Sequence, residues 1–542
     1  MTEEAKKEPP KVFAREATGL VRSLNWFDGL VMNLSYFNLA AGALLVFGIF
    51  VFLFPGSNAV ITLGLIGFVV DIPILIIYSM YSASMPRSGG DYVFVSRSIL
   101  PALGFGVGIV FFIYLSVFSV GENAWFTTAL SIAPELAAIG STTNNAALVS
   151  LSQYIVQPLP IIIIGLIMIA VVFLLSLVNT SILHKVFLVL FIIAFAGWPV
   201  AYVAVLASSS HSAFISAFNS YASTAGLNTT YAGIVNSAQK AGATILVPTL
   251  AASIAALPLT YVIPVFAQSS TYIGGETKRA TRSVPLSLLL GMGVICATIA
   301  IMGYYTYNVF GYDFVSATGY YFNSGAPGYP LPAAPLTDYF IAILYPNTAF
   351  NWFMLISGIA WELLLMLTFM VMATRFLFAG AFDRVLPSGL AHVSDRFHTP
   401  TTATILSALL SIFFLVASTY SFVGTFISGS IGWTSGYLLI LISAIAFPFI
   451  GKGVFEQSPN WVKARIGGFP LMSLLGIIGT IVVGYIFYDM FVFPSISGAS
   501  FTASGVVLAF YVIGIVIYYV AKVYWKRNGV DISMANKEIP PE

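Results

Sequence analysis

The chain is poor in charge. Only 8% of its 542 residues are Asp, Glu, Lys or Arg, against about 25% in soluble globular domains. A soluble protein of this length needs several cores and a polar surface to enclose them, and too few charges are available to make one. Cysteine is nearly absent: Cys296 stands alone, inside an apolar block, which excludes an intrachain disulfide and a cysteine zinc site. His184, His211, His392 and His398 all fall in expected loops. That leaves no axial ligand at membrane depth for a haem, so no cofactor is expected. The net charge of +2 gives no reason to expect a nucleic-acid partner. Clusters of His, Cys or acids at an interface are missing too, so an integral-membrane enzyme is not expected.

What is present is apolar. Hydrophobic residues make up 58% of the chain and aromatics 15%, with a mean hydropathy of +0.94. The apolar blocks are each near the ~20 residues that cross a bilayer as a helix. Lipid offers the backbone no partner, so only helices or closed barrels can span it. Continuous rather than alternating apolarity favours helices. Twelve spans are predicted, near 30–53, 60–84, 101–130, 157–178, 186–207, 244–272, 284–306, 350–378, 402–420, 423–448, 468–491 and 503–525. The expected fold class is an all-α membrane protein of about twelve transmembrane helices.

The basic residues test that count. With both termini cytoplasmic, only Lys240 of the 22 Lys and Arg falls outside. This is the positive-inside pattern, and losing or adding one span would scatter the later charges. A multi-pass protein of the plasma membrane is expected. The polar start MTEEAKKEPPKVFAREATG has no apolar stretch before Leu30, so no cleavable signal peptide is expected. The outer segments 131–156, 208–243 and 307–349 are rich in Ser, Thr, Asn, Gly and Tyr. Within one of them, Asn228-Thr229-Thr230 is a candidate glycosylation site.

Two spans look broken. The first carries Asn33, Ser35 and Asn38, then Ala40-Ala41-Gly42. The sixth carries Pro258 and Pro264, then Gln268-Ser269-Ser270-Thr271. Proline removes a helix donor, and freed backbone groups at that depth must find a neighbour, water or a solute. Interrupted helices at corresponding positions of two halves mark a transporter's binding site; small residues at an ordinary kink in packed helices are the plainer reading.

Three stretches carry a resemblance. Met85-Pro86-Arg87-Ser88-Gly89-Gly90-Asp91-Tyr92-Val93, followed by Ser96-Arg97, Pro101 and Leu103-Gly104-Phe105, resembles the loop after the second helix of the amino acid–polyamine–organocation permeases. Tyr272-Ile273-Gly274-Gly275-Glu276-Thr277-Lys278, with Arg282 and Pro285, resembles the end of their sixth helix. Arg375, Ala381-Phe382-Asp383-Arg384-Val385-Leu386-Pro387 and Arg396-Phe397-His398-Thr399-Pro400 resemble the loop after their eighth. The resemblance implies a leucine-transporter-like fold of two inverted five-helix repeats plus two helices. It divides the chain into a cytoplasmic segment 1–24, a first repeat 25–208, an extracellular loop 209–243, a second repeat 244–450, two further helices 451–525 and a cytoplasmic tail 526–542. It also implies a solute held between the first and sixth helices, with helix ends gripping its charged groups.

On that basis the substrate-binding candidates are Asn38, Ala40, Ala41, Gly42, Tyr114, Phe118, Pro264, Phe266 and Gln268. The sequence departs from the family where the substrate would sit: Ala40-Ala41-Gly42 replaces a glycine-flanked turn, and Phe266-Ala267-Gln268 replaces Gly-Phe-Glu. No lysine lies between Phe187 and Leu206, where several members carry one for proton coupling. Asp71, Glu122 and Glu362 lie inside spans with no basic residue at comparable depth. Each is a candidate for proton or cation coupling, or a protonated acid bonded to a neighbour. Tyr114, Phe118 and Trp125 share one helical face and could stack on an amine, although packing against neighbours or lipid accounts for them equally. Trp361, beside Glu362, is a candidate gate. Arg87 with Asp91, and Lys278 with Glu276, are candidate pairs of a cytoplasmic gate.

The expected function is secondary active transport of an amino acid or related amine, coupled to H⁺ or Na⁺. The alternatives are a non-coupled facilitator or channel and a non-transporting partner subunit on the same scaffold. The expected partners are the solute, the coupling ion and the lipid bilayer; a homo-oligomer or larger membrane complex is compatible with the sequence.

Overall fold

A computed structural model of the protein describes residues 22–37, 39, 47, 51–58, 60–257, 268–325, 329, 331, 334–394, 399–420, 429–494 and 498–533. These residues are predominantly helical, and the one small sheet among them is a hairpin pairing Arg465–Ile466 with Phe469–Pro470. Among the described residues, ten helices are long and apolar enough to cross a membrane. In chain order, the elements that build the site are α1 (Trp26–Ser35), α2 (Val60–Ser84), α3 (Gly90–Ser98), α4 (Pro101–Thr142), α5 (Pro158–Ser176), α6 (Thr180–Ala207), α7 (Ala280–Phe310), α8 (Thr337–Leu344), α9 (Thr348–Phe382), α10 (Thr401–Thr419), α11 (Gly429–Ile450), α12 (Leu471–Val492) and α13 (Phe501–Arg527). All but the shorter α1, α3 and α8 are spans. The ten spans coincide with ten of the twelve expected ones. The other two, 30–53 and 244–272, run onto residues outside those described.

Local rules explain the starts of these helices. Asn25 caps α1 by accepting from the Phe27 N–H (2.7 Å), while Asp28 accepts from the Asn25 N–H (2.8 Å). This reciprocal pairing satisfies donors that a helix start leaves open. Pro101 and Pro158 begin α4 and α5, where the missing N–H costs nothing.

Burial then sorts the helices. The most apolar windows of α4 and α9 are each 83% buried within the protein, against 33% for α5, α6 and α12 and 22% for α13. So α4 and α9 are central, and the others turn an apolar face outward, as lipid-facing helices must. Two helices also lie within 209–243, which was expected as a loop: His211–Thr224 and Tyr231–Lys240. Ser210 and Thr230 cap them, and Phe214 and Tyr231 pack on Phe310 and Phe314. The segment's Ser and Thr residues act as helix caps there. Asn228 is exposed in the turn between the two helices.

Candidate functional site

α1 is strapped to the turn that follows residue 268. The Ser23 and Leu24 N–H groups donate to the Glu276 carbonyl (3.0 and 3.1 Å), and Lys278 N–H donates to the Leu24 carbonyl (2.7 Å). Two turns into α1, buried Asn33 reaches the same segment. Its Oδ1 accepts from Ser269 Oγ (3.0 Å) and from the Ser270 N–H (2.9 Å), and its Nδ2 donates to Ser270 Oγ (3.1 Å) and Ser287 Oγ (3.4 Å). One amide thus joins α1, the 3₁₀ turn Gln268–Tyr272 and α7. Asn33→Ala strands those hydroxyls and the amide, and is expected to lower stability by about 1–3 kcal/mol, read as an earlier thermal transition in detergent.

Beside this cluster, Gln268 Nε2 donates to Tyr437 Oη on α11 (2.7 Å), which lies 3.3 Å from Tyr36 Oη. Gln268 Oε1 is buried and has no hydrogen-bond partner among the described residues. Toward the Arg87 end, Asp91 on α3 accepts from the hydroxyls of Tyr78 and Tyr272. Burial pushes the Asp91 carboxyl up to about 6, while the Tyr272 and Tyr78 hydroxyls pull it down.

The turn into α3 requires glycine. Gly89 and Gly90 have φ of +110° and +49°, and a Cβ on Gly90 would sit 2.6 Å from the Tyr272 ring. This tight approach lets Ser88 pair with Ile273, and three buried arginines, Arg87, Arg97 and Arg375, lie in this region. Asp383 accepts from Arg87 Nη2 (3.0 Å), Arg97 Nη2 (3.1 Å) and Tyr92 Oη (2.8 Å). Glu276 takes Arg375 through both oxygens (2.8 and 3.0 Å) and Thr180 Oγ1 at 2.9 Å. Burial alone would raise the Glu276 carboxyl, but the Arg375 guanidinium overrides it and holds it below the usual range. The expected gate residues are therefore brought together in different pairings: Arg87 with Asp383, Asp91 with two tyrosines, and Glu276 with Arg375. Lys278 is exposed.

The other candidates are dispersed. Tyr114 is fully buried against Gly432 of α11 and edge-on to Phe510 of α13, and its hydroxyl has no partner among the described residues. Phe118 packs on Phe414 and near Gly429. Phe111, one turn before Tyr114, touches Tyr437 (ring centroids 5.2 Å apart), so this face of α4 abuts the Gln268 cluster. Glu122 is half-buried where α4 packs on α10, and among the described residues its carboxylate makes no hydrogen bond. Asp71 is buried on α2, near enough to Cys296 to influence it electrostatically. Glu362 is buried on α9. Asn38, Ala40, Ala41, Gly42, Pro264 and Phe266 lie outside the described residues.

Sequence reasoning missed an interrupted span. α6 leaves helical geometry at Trp198, as the residue before a proline tends to. Helix α9 satisfies the freed groups: Trp198 N–H donates to Ser357 Oγ (3.0 Å), and Trp361 Nε1 donates to the Trp198 carbonyl (2.8 Å). The signal was Gly197-Trp198-Pro199 in mid-span. Trp361, the candidate gate, braces this break.

A buried acid pair was also missed. Asp338 on α8 lies in electrostatic range of Glu135 on α4. Its Oδ1 accepts from the Tyr339 N–H (2.7 Å), and its Oδ2 has no partner among the described residues. Burial pushes the Asp338 carboxyl well above the usual range. A folded state that holds this proton longer than the unfolded chain loses stability as pH rises from about 4 toward neutrality. Asp338→Asn removes that loss, so its melting temperature should exceed the native one at pH 8 and converge with it near pH 4.

No three His, Cys, Asp or Glu side chains among the described residues are grouped so as to hold a metal ion. The chain matches no protein-family model and no curated protein.

Proposed function

We propose that the protein is a secondary active transporter of amino acids or related amines, belonging with the amino acid–polyamine–organocation permeases. In this reading it has twelve spans, in two inverted five-helix repeats plus two helices. It sits in the plasma membrane with both termini cytoplasmic, and H⁺ or Na⁺ drives alternating access. The observation that carries the reading is the meeting of α1 with the turn Gln268–Tyr272 through Asn33, across 237 positions of sequence. Interrupted segments laid side by side in a bundle's interior can offer helix ends and carbonyls to a charged solute. Gln268 Oε1 and Tyr114 Oη, both buried, supply further acceptors for an ammonium group.

Coupling falls to Glu122 or Glu362, since a carboxyl at membrane depth exchanges a proton or cation when its surroundings change. The ion pairs of Asp383 and Glu276 form the closed cytoplasmic end. The test is uptake into proteoliposomes of radiolabelled amino acids and amines, at several external pH values, with and without Na⁺. Accumulation against a gradient supports the proposal. Equilibration without accumulation indicates a facilitator, and no uptake of any compound sinks transport altogether. Glu122→Gln or Glu362→Gln should abolish pH dependence; if it persists in both, neither carries the proton.

A further inference from the structure

Where α4 begins and α11 ends, a cavity of about 510 Å³ opens beside the last turns of α13. Its polar lining includes Ser96, Arg97, Tyr518 and Lys522, and no carboxylate among the described residues lines it. Arg97 is buried, held by Asp383 and by Ser96 Oγ (2.9 Å). Asp383 also accepts from Arg87 Nη2 (3.0 Å). Lys522 is half-buried and makes no ion pair among the described residues. The nearby acid, Asp531, directs Oδ1 to the Ser533 N–H (2.9 Å).

The start of α4 adds to this positive field. Leu100 occupies its N-cap and offers no side-chain acceptor, and Ala102 of the first turn lines the cavity. Open amides at a helix start attract anions. The remaining wall is apolar and outward-facing: Leu100, Ile450 and Tyr519 are 47%, 63% and 47% exposed. Leu100 and Ile450 sit at the ends of spanning helices and Tyr519 about two turns before the end of α13, near the level at which headgroups meet acyl chains.

We infer that this cavity binds the phosphate of an anionic phospholipid, with Lys522 and Arg97 at the headgroup and Leu100, Ile450 and Tyr519 along the acyl chains. A free anion has no use for an exposed apolar wall, and a zwitterionic lipid brings its own cation. Basic pockets between membrane helices recognise lipid phosphates in this way. The site is independent of the transport reading, since it draws on neither Asn33 nor Gln268.

Delipidated full-length protein in neutral detergent is titrated with phosphatidylglycerol, phosphatidylcholine or inorganic phosphate. Thermal stability and retained lipid in native mass spectra are the readouts. Phosphatidylglycerol should stabilise saturably, and phosphatidylcholine should not. Lys522→Gln should weaken the apparent affinity about fivefold, as expected for one lysine at a lipid phosphate, and Lys522→Glu further. Lys526→Glu, which adds the same charge outside the cavity, should change it less than Lys522→Glu does. Equal stabilisation by the two lipids overturns the inference, as does an unchanged affinity in Lys522→Glu. So does inorganic phosphate reproducing the whole effect, because the apolar wall would then play no part.

Discussion

Asp383→Ala is expected to cost the folded protein at least 3–5 kcal/mol, the range for removing one partner of a buried ion pair. The upper end applies because two guanidinium groups each lose an ion pair at once. Arg87 and Arg97 are 1% and 4% exposed, so neither can turn to water without opening the seam between α3 and α9. Tyr92 loses its acceptor as well. In detergent this should appear as a collapse in monodisperse yield, or as a much earlier thermal transition. Arg97→Met in the Asp383→Ala background should recover part of the loss, since a buried charge that has lost this ion pair goes. A double mutant no better than Asp383→Ala would mean that Arg97 does not depend on Asp383 for its stability.

Most of the scaffold was legible because lipid imposes a simple rule. A run such as 157–178 must be a helix if it crosses a bilayer, and α5 spans Pro158–Ser176. Segment 209–243 was harder. Its Ser and Thr residues read as loop, yet Ser210 and Thr230 are caps, and the aromatics that anchor the helices come from residues 310–340. The site was legible in its residue types and opaque in its partners. Gln268 and Glu276 were visible as polar groups near an interrupted helix. Nothing local to them points to Tyr437 or Arg375, each about a hundred or more positions away. Tyr437 illustrates the limit: in an apolar run, a tyrosine that bonds Gln268 looks like one that meets lipid. Charge assignment failed similarly. Arg87 and Asp91 are close in sequence, but the left-handed turn at Gly89 and Gly90 sends them to different partners.

Arg375→Ala tests the other ion pair, and its pH dependence should change sign. In the native protein Glu276 is held below its usual range, so its stabilisation is complete above about pH 4.3 and is lost as pH falls through the folded value. Without Arg375, burial becomes the dominant influence on Glu276, which is fully buried. The carboxyl then retains its proton longer in the folded state than in the unfolded chain. Stability should therefore fall as pH rises from about 4.3 toward neutrality, and the gap to the native protein should widen. At pH 7 the loss is expected to reach about 3–5 kcal/mol. The variant also releases Thr180 and the strap at Leu24 from a shared anchor, so the seam around Ser88 and Ile273 should loosen. Cys296 is the chain's single cysteine and is 3% exposed, which keeps the labelling background low. A cysteine at Ser88, buried in the native protein, should react with maleimide faster in Arg375→Ala than in the parent. Equal reactivity together with a native pH profile would mean that Glu276 does not depend on Arg375 for its charge or its place.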